Sequence, residues 1–260
     1  MRIVDLEGKS ALVTGSSTGI GAAVAIAFAE AGMKVAVHYN ASKAEAEKVA
    51  TSVEKASGKA AIFAGDLRKT DVCAGLVEKT IKAFGSLDVL VNNAGSVVTR
   101  KPIAEAGDDL YDEIMDLNAR SVFACSRAAV RAFLARGSGG KAAGNIISTT
   151  SVAARNGGGV GSILYAGAKG FVSSFTRGLA KELAPTGIRV NAVAPGIIRT
   201  PLHDRLTKPE AYLAMVQATP MRRDGTAGEC AGTYVYLASD VLSSFVTGQV
   251  IEVNGGLLMP

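Results

Sequence analysis

The feature that most constrains this chain is an alternation of short, almost wholly apolar runs with longer alanine-rich stretches of helical period. The runs are Ser10 to Val13, Lys34 to His38, Ala60 to Ala64, Asp88 to Asn92, Asn145 to Thr149, Ile188 to Ala194 and Gln249 to Val253. Helices are expected between them, over Ile20 to Ala31, Lys43 to Ala56, Asp71 to Phe84, Glu105 to Ala135, Ile163 to Leu183 and Thr226 to Leu237. A strand without polar alternation cannot keep one face in water, so helices must cover both faces of the sheet. The sequence therefore predicts an α/β fold, a doubly wound, seven-stranded parallel sheet flanked by helices on both faces. No repeat or Pro/Ser-rich linker divides the 260 residues, so one domain over 1–260 is expected. Gly137 to Gly144 and Gly157 to Gly161 read as loops.

A content of 48% hydrophobic and 20% charged residues excludes a disordered chain. Asp5 and Glu7 interrupt the place where a signal peptide would need its apolar stretch. The longest run without polar residues, Gly19 to Ala29, is far short of the roughly 18 residues of a membrane span. A cytoplasmic protein with no membrane association is the expectation. Cys73, Cys125 and Cys230 are too few and too far apart for a disulfide framework and read as reduced. The net charge of +5 is spread along the chain, and Arg127, Arg131, Arg136 and Lys141 lack interleaved aromatics. Nucleic-acid binding is not expected. With only His38 and His203 available and no ligand spacing, neither is a metal site.

The first run leads into Thr14-Gly15-Ser16-Ser17-Thr18-Gly19-Ile20-Gly21 and directly on into a helix. In a Rossmann-type strand-turn-helix, one glycine permits the tight turn, a second lets the backbone approach a pyrophosphate, and a third lets the helix pack against the sheet. The positive end of the helix then faces the anion. Gly15, Ser17, Thr18, Gly19, Ile20 and Gly21 are thus candidate dinucleotide contacts. Gly8-Lys9-Ser10 ends like a Walker loop, but the earlier glycine that such a loop needs would fall at Ile3.

Cofactor choice should be made at the end of the second strand, where an acidic side chain accepts the ribose hydroxyls of NAD. No carboxylate stands at His38, Tyr39 or Asn40, whereas Asn40, Ser42 and Lys43 offer donors for a 2′-phosphate. NADP(H) is preferred and NAD(H) remains possible, with Tyr39, Asn40 and Ser42 as contacts. Asn40 and Ser42 could equally cap the helix that follows.

Tyr165 and Lys169 lie four apart on a predicted helix and so share a face. A positive charge about 4 Å from the phenol, at an effective dielectric near 20, is worth roughly 4 kcal/mol, or about three pKa units. That would bring the phenol from about 10 towards 7, where it can give a proton to a ketone or take one from an alcohol.

These residues together resemble the short-chain dehydrogenase/reductase family in its single-domain branch. The likeness runs through Gly15, Gly19 and Gly21, Asp66-Leu67, Asn92-Asn93-Ala94-Gly95, Asn118, Ser151, Tyr165 with Lys169, and Pro195-Gly196-Ile197-Ile198-Arg199-Thr200. The resemblance implies that Tyr165 is the general acid/base, that Lys169 lowers its pKa and bonds the nicotinamide ribose, and that Ser151 polarises the substrate oxygen. It implies that Asn118 holds a water in a proton relay reaching Lys169. It further implies that Asp66 and Leu67 contact the adenine and that Asn93, Ala94 and Gly95 line the ribose side. Pro195, Gly196, Ile198 and Thr200 would hold the carboxamide and phosphates.

The segment from Pro201 to Pro220 is similar to the family's substrate lid, with Leu202, His203, Leu206, Tyr212, Leu213 and Met215 over a mixed apolar pocket. It could instead be an amphipathic helix buried against the body. A small carbonyl or alcohol substrate is expected. Likeness to 3-oxoacyl-acyl-carrier-protein reductases is weakened by Thr18, where many of those enzymes have Arg, and by the lack of a basic residue near Thr186. NAD-dependent sugar or polyol dehydrogenation is a further alternative. A dinucleotide-binding regulator without turnover is the reading from another class, and intact Ser151, Tyr165 and Lys169 speak against it. The resemblance also implies a homotetramer, with the helices of Glu105 to Ala135 and Ile163 to Leu183 in one interface and Thr247 to Met259 in another.

Overall fold

A computed structural model describes residues 3–56, 59–137, 144–201 and 206–259. Its strands are β1 (Ser10–Val13), β2 (Lys34–Tyr39), β3 (Ala60–Ala64), β4 (Val89–Asn92), β5 (Asn145–Thr149), β6 (Arg189–Pro195) and β7 (Val250–Val253). They form one sheet in the order β3-β2-β1-β4-β5-β6-β7, every pair parallel. β1, β4, β5 and β6 are buried along their whole length, as their unbroken apolar runs require.

Adjacent residues on a strand feed opposite cores. Val13 and Val91 join Val24, Phe28 and Tyr234 on one face, while Leu12 and Leu90 join Leu76, Phe133 and Ile146 on the other. Each such side chain is worth roughly 1.5–3 kcal/mol of burial. The first face is covered by α1 (Gly19–Glu30) and α2 (Lys43–Ala56), the second by α3 (Thr70–Phe84). The chain runs outward from β1 to β3 and then returns to β4 beside β1. The crevice that opens there, at the carboxyl ends of β1 and β4, is where ligands settle in such sheets.

The long helix expected over Glu105 to Ala135 begins at Asp108, runs to Arg136 and carries a π-turn that the sequence did not announce. The structure has α4 (Asp108–Met115), a π-helical turn at Asp116–Arg120 and α5 (Ser121–Arg136). The cause is local: the Asn118 side-chain amide donates to the Ile114 carbonyl at 2.9 Å, the acceptor a regular α-helix reserves for the backbone N–H of residue 118. After β5 come α6 (Ala153–Asn156) and α7 (Ile163–Leu183), and after β6 come α8 (Pro209–Ala218) and α9 (Ala227–Ala238). The buried amphipathic helix weighed for the lid is also corrected, since α8 has no buried residue and Leu213 is 56% exposed. Leu202 and His203 lie outside the described residues, as does most of the Gly137 to Gly144 loop. Among the described residues no helix is long and apolar enough to cross a membrane.

Candidate active site

The glycine turn fills the crevice between β1 and β4 and leaves no room for side chains. Gly15 and Gly19 both have left-handed backbones, with φ of 62° and 59°. A Cβ on Gly15 would lie 2.8 Å from Ala94 Cα, and one on Gly21 would lie 2.5 Å from the Gly15 carbonyl oxygen. A Cβ on Gly19 would lie 3.2 Å from Thr200, so the Pro195–Thr200 segment runs directly across the mouth of the turn. That segment is fixed by Arg199 donating to Gly225 and Gly225 to Ile197 through the backbone, at 2.8 and 2.9 Å, with Ile198 buried. Thr18 makes no side-chain cap on α1, so the first amides of the helix remain available to an anion. This is a cradle that a dinucleotide pyrophosphate fits.

A chain of buried hydrogen bonds runs from the turn to Lys169. Thr14 Oγ1 donates to the Val91 carbonyl and accepts from the backbone of Asn93 and Ala94 at 2.9 and 3.1 Å. The Asn93 amide donates to the Thr14 and Gly15 carbonyls. Its oxygen accepts from Thr149 Oγ1 at 3.4 Å, and Thr149 Oγ1 is also bonded to Tyr234. Lys169 Nζ donates to the Thr149 carbonyl at 2.8 Å, and a Cβ on Gly95 would lie 3.0 Å from that nitrogen. The bare face of Gly95 therefore leaves open the space in front of the ammonium.

The four hydroxyls of Ser148–Ser151 are separated by their partners. Ser148 accepts from Asn92, Thr149 meets Tyr234, and Thr150 bonds the Lys169 carbonyl and Ser173. Ser151 accepts from the backbone of Ala153 and lies close enough to the Tyr165 phenol to draw its proton affinity down. Lys169 Nζ sits over the Tyr165 ring, 5.6 Å from its centroid.

The expectation that Lys169 brings the phenol down towards 7 is corrected. Burial dominates and holds Tyr165 above its ordinary value, with the Ser151 hydrogen bond and the Arg100 charge pulling the other way. The ammonium lies over the ring and is bonded to a carbonyl, and burial pushes Lys169 itself down to about 8.

Asn118 is fully buried in the π-turn. Its oxygen accepts from Ser96 N at 3.1 Å and its amide donates to the Ser96 and Ile114 carbonyls at 2.9 Å. The side chain is consumed in tying the loop after β4 to α4, and it stands 2.6 Å from where a Gly95 Cβ would be. Asn118, Gly95 and Lys169 thus converge.

At the outer end, Tyr39 closes β2 with its ring packed against the core, while Asn40 is exposed and Ser42 half-buried. Neither Asn40 nor Ser42 caps α2 with its side chain among the described residues, which leaves both for a ligand. Asp66 is held by Arg68, whose guanidinium depresses the carboxyl and also reaches Glu113 at 2.7 Å. An adenine contact at Asp66 would share a carboxylate that Arg68 already occupies. Leu67 is buried. Thr14, His38, Thr149 and Tyr234 escaped the sequence reading because residues that support a site from within the core carry no periodic or spacing signal.

Comparison with known proteins agrees with this geometry. A protein-family model described as Enoyl-(Acyl carrier protein) reductase matches residues 15–258. The chain is 38% identical over 254 residues to 3-oxoacyl-[acyl-carrier-protein] reductase of Synechocystis sp., covering 98% of both chains. Among solved structures, it is similar to the NADH-dependent reductase A1-R′ responsible for alginate metabolism, with a TM-score of 0.90, 37% identity, and 99% and 100% of the two chains covered. It is also similar to a short chain dehydrogenase from Burkholderia cenocepacia J2315 in complex with NADP, with a TM-score of 0.89, 32% identity, and 97% and 99% covered.

Proposed function

Because the chain belongs to the short-chain dehydrogenase/reductase family and is an NAD(P)-dependent oxidoreductase acting on CH–OH or carbonyl groups, we propose that it interconverts a ketone and a secondary alcohol with NADP(H), using Tyr165 as general acid/base. The observation that carries this reading is the Tyr165 phenol with Lys169 Nζ over its ring at 5.6 Å from the centroid, and with Ser151 near enough to draw its proton affinity down.

When bound, the dinucleotide supplies or receives the hydride. Residues Gly15 to Gly21 and Thr200 would hold its phosphates, Asn93, Gly95 and Lys169 its nicotinamide ribose, and Asn40 and Ser42 a 2′-phosphate. In reduction the Tyr165 phenol donates a proton to the carbonyl oxygen, and the Ser151 hydroxyl donates a hydrogen bond to the same atom. Both donors strengthen as negative charge grows on that oxygen, so they favour the transition state over the ground state. Lys169 lies over the phenol ring, and a water held at the π-turn beside Asn118 would connect it to solvent. A phenol kept high by burial is a competent acid for reduction at neutral pH and a base only in alkaline solution.

NADP(H) is preferred to NAD(H) because no carboxylate stands at residues 38–40 and, among the described residues, no side-chain bond engages Asn40 or Ser42. Titration with NADPH and with NADH, followed by nicotinamide fluorescence, tests this. Tighter NADPH binding supports the reading, and tighter NADH binding overturns the 2′-phosphate assignment. The Synechocystis relative supports an arm with 3-oxoacyl thioesters, against which stands Thr18 in the turn.

One sheet supports a single domain. A homotetramer is supported by exposed aromatics on α4, α5 and α7: Tyr111 at 50%, Phe123 at 40% and Phe171 at 38%. Phe171 stacks on Phe175, and Arg127 lies over Phe123. An apolar face of this kind on a folded surface marks an interface. The buried unpaired thiols of Cys73, Cys125 and Cys230 suit the cytoplasm.

A further inference from the structure

We infer that Arg100 receives a carboxylate of the substrate, so that the compound reduced is an oxo acid and its product a hydroxy acid. This rests on the reading of Tyr165 as the proton donor.

The placement of Arg100 begins with a strained turn. Thr99 N donates to the Val97 carbonyl at 2.8 Å across Val98, whose φ is 64°. This is the rare form of the γ-turn, and a β-branched residue at positive φ is a true outlier. Its surroundings enforce it. Val98 N donates to Ser96 Oγ at 2.9 Å, Ser96 is clamped on both backbone groups by Asn118, and the Val98 side chain packs against the cluster of Ile114, Ala119 and Ala168, as Tyr165 does. Strain held in this way clusters at functional sites.

The turn delivers Arg100 into a slot between the glycine loop before α7 and the lid. A Cβ on Gly161 would lie 2.9 Å from Lys101 N and 3.2 Å from Arg100 Cβ, and one on Gly159 would lie 3.5 Å from Arg100 Nη1. Lys101 N donates to the Gly161 carbonyl at 3.1 Å, and Arg100 Nε donates to the Leu206 carbonyl at 3.3 Å. The guanidinium is near enough to the Tyr165 phenol to draw its proton affinity down.

Among the described residues no carboxylate pairs with Arg100, and the Leu206 carbonyl takes one of its five N–H donors. The arginines on either side of the lid in sequence differ: Arg199 is paired with Asp224 and Arg223 with Glu229. A half-buried guanidinium, unpaired among the described residues and held against the glycine loop that leads into the helix of Tyr165, presents a planar fork suited to a carboxylate lying a few bonds from the reacting carbonyl.

The test uses the full chain, NADPH or NADH, and matched pairs that differ only in charge: acetoacetate with methyl acetoacetate, and levulinate with methyl levulinate. The acid of at least one pair should exceed its ester in kcat/KM by roughly tenfold, the worth of one charged hydrogen-bonded contact. Arg100→Ala should lose roughly 10- to 100-fold on that acid, chiefly in KM, with the ester changed by less than about threefold. Arg100→Lys should recover part of the loss, and cofactor affinity should be unchanged in both variants. Equal losses on acid and ester, an ester preference in the parent enzyme, or turnover of neutral ketones alone overturns the inference. Weakened NADPH binding in Arg100→Ala reassigns the guanidinium to a cofactor phosphate and overturns it too. Failure of every carbonyl compound overturns the proposed reaction itself.

Discussion

The backbone N–H of Gly15 donates to Nδ1 of His38 across 3.0 Å, while the opposite ring nitrogen meets the Gly65 carbonyl at 3.0 Å. Because Gly15 N can only donate, Nδ1 must accept, so Nε2 carries the proton and gives it to Gly65. His38 is fixed as the neutral Nε2–H tautomer, strapping the phosphate turn to the end of β3. Its own N–H donates to Ser16 Oγ at 2.9 Å, a second tie to the same turn.

Acid should loosen this strap. Burial lowers the His38 pKa from its ordinary 6.5, so below that pH the unfolded chain takes up a proton that the folded chain resists. The unfolded state then binds more protons, and stability falls as pH drops below about 6.5. Once His38 is protonated, Nδ1–H faces the Gly15 N–H and the turn must open. The dinucleotide Kd, followed by fluorescence, should rise on the acid side of 6.5. His38→Leu should remove that pH dependence while costing about 2 kcal/mol or more, because it strands a buried donor and a buried acceptor.

Tyr165→Phe should abolish proton transfer with little effect on the cofactor site. The expected loss in kcat is roughly 10²- to 10⁴-fold with dinucleotide affinity nearly unchanged. Because burial holds the phenol high, alcohol oxidation should accelerate as pH rises through the alkaline range, where the phenolate forms. Ketone reduction needs the phenol protonated and should decline over the same range. A pH profile with these slopes reversed would contradict the assignment.

Lys169 sets function against stability. Its pKa is about 8 when folded and 10.5 when free. Below about 8 both states carry the charge and the folded state bears the full desolvation cost; between 8 and 10.5 the unfolded chain binds more protons and stability rises with pH. Lys169→Met should therefore raise stability at pH 7 by about 1–3 kcal/mol, less the lost bond to Thr149, while eliminating turnover. Denaturant melts at pH 7 and at alkaline pH, where the gain should shrink, measure this.

Two glycine replacements should have opposite effects. Gly21→Ala drives a Cβ to 2.5 Å from the Gly15 carbonyl and 2.4 Å from the Asn93 amide, so it should cost several kcal/mol and dinucleotide binding. Gly75→Ala, within α3 with nothing within 4 Å of the new carbon, should stabilise by about 0.5–1 kcal/mol. Thermal melts of the two variants provide the comparison.

The sequence alone determined the seven strands and their parallel pairing, because unbroken apolar runs such as Leu12-Val13 and Leu90-Val91 are stable only with both faces covered. It also located the glycine turn and the Tyr165–Lys169 helix, since those motifs depend on spacing along one element. The tertiary structure decided what depends on distant neighbours. The Asn118 amide that forms the π-turn through Ile114 also ties that turn to Ser96, far away in the chain, a contact no local pattern announces. The Tyr165 pKa goes up rather than down because burial, which no spacing encodes, outweighs the pull of Ser151 and Arg100. His38, a lone histidine in the sequence, became a strap only when β1, β2 and β3 were set side by side, bringing the amide of Gly15 and the carbonyl of Gly65 to its two nitrogens.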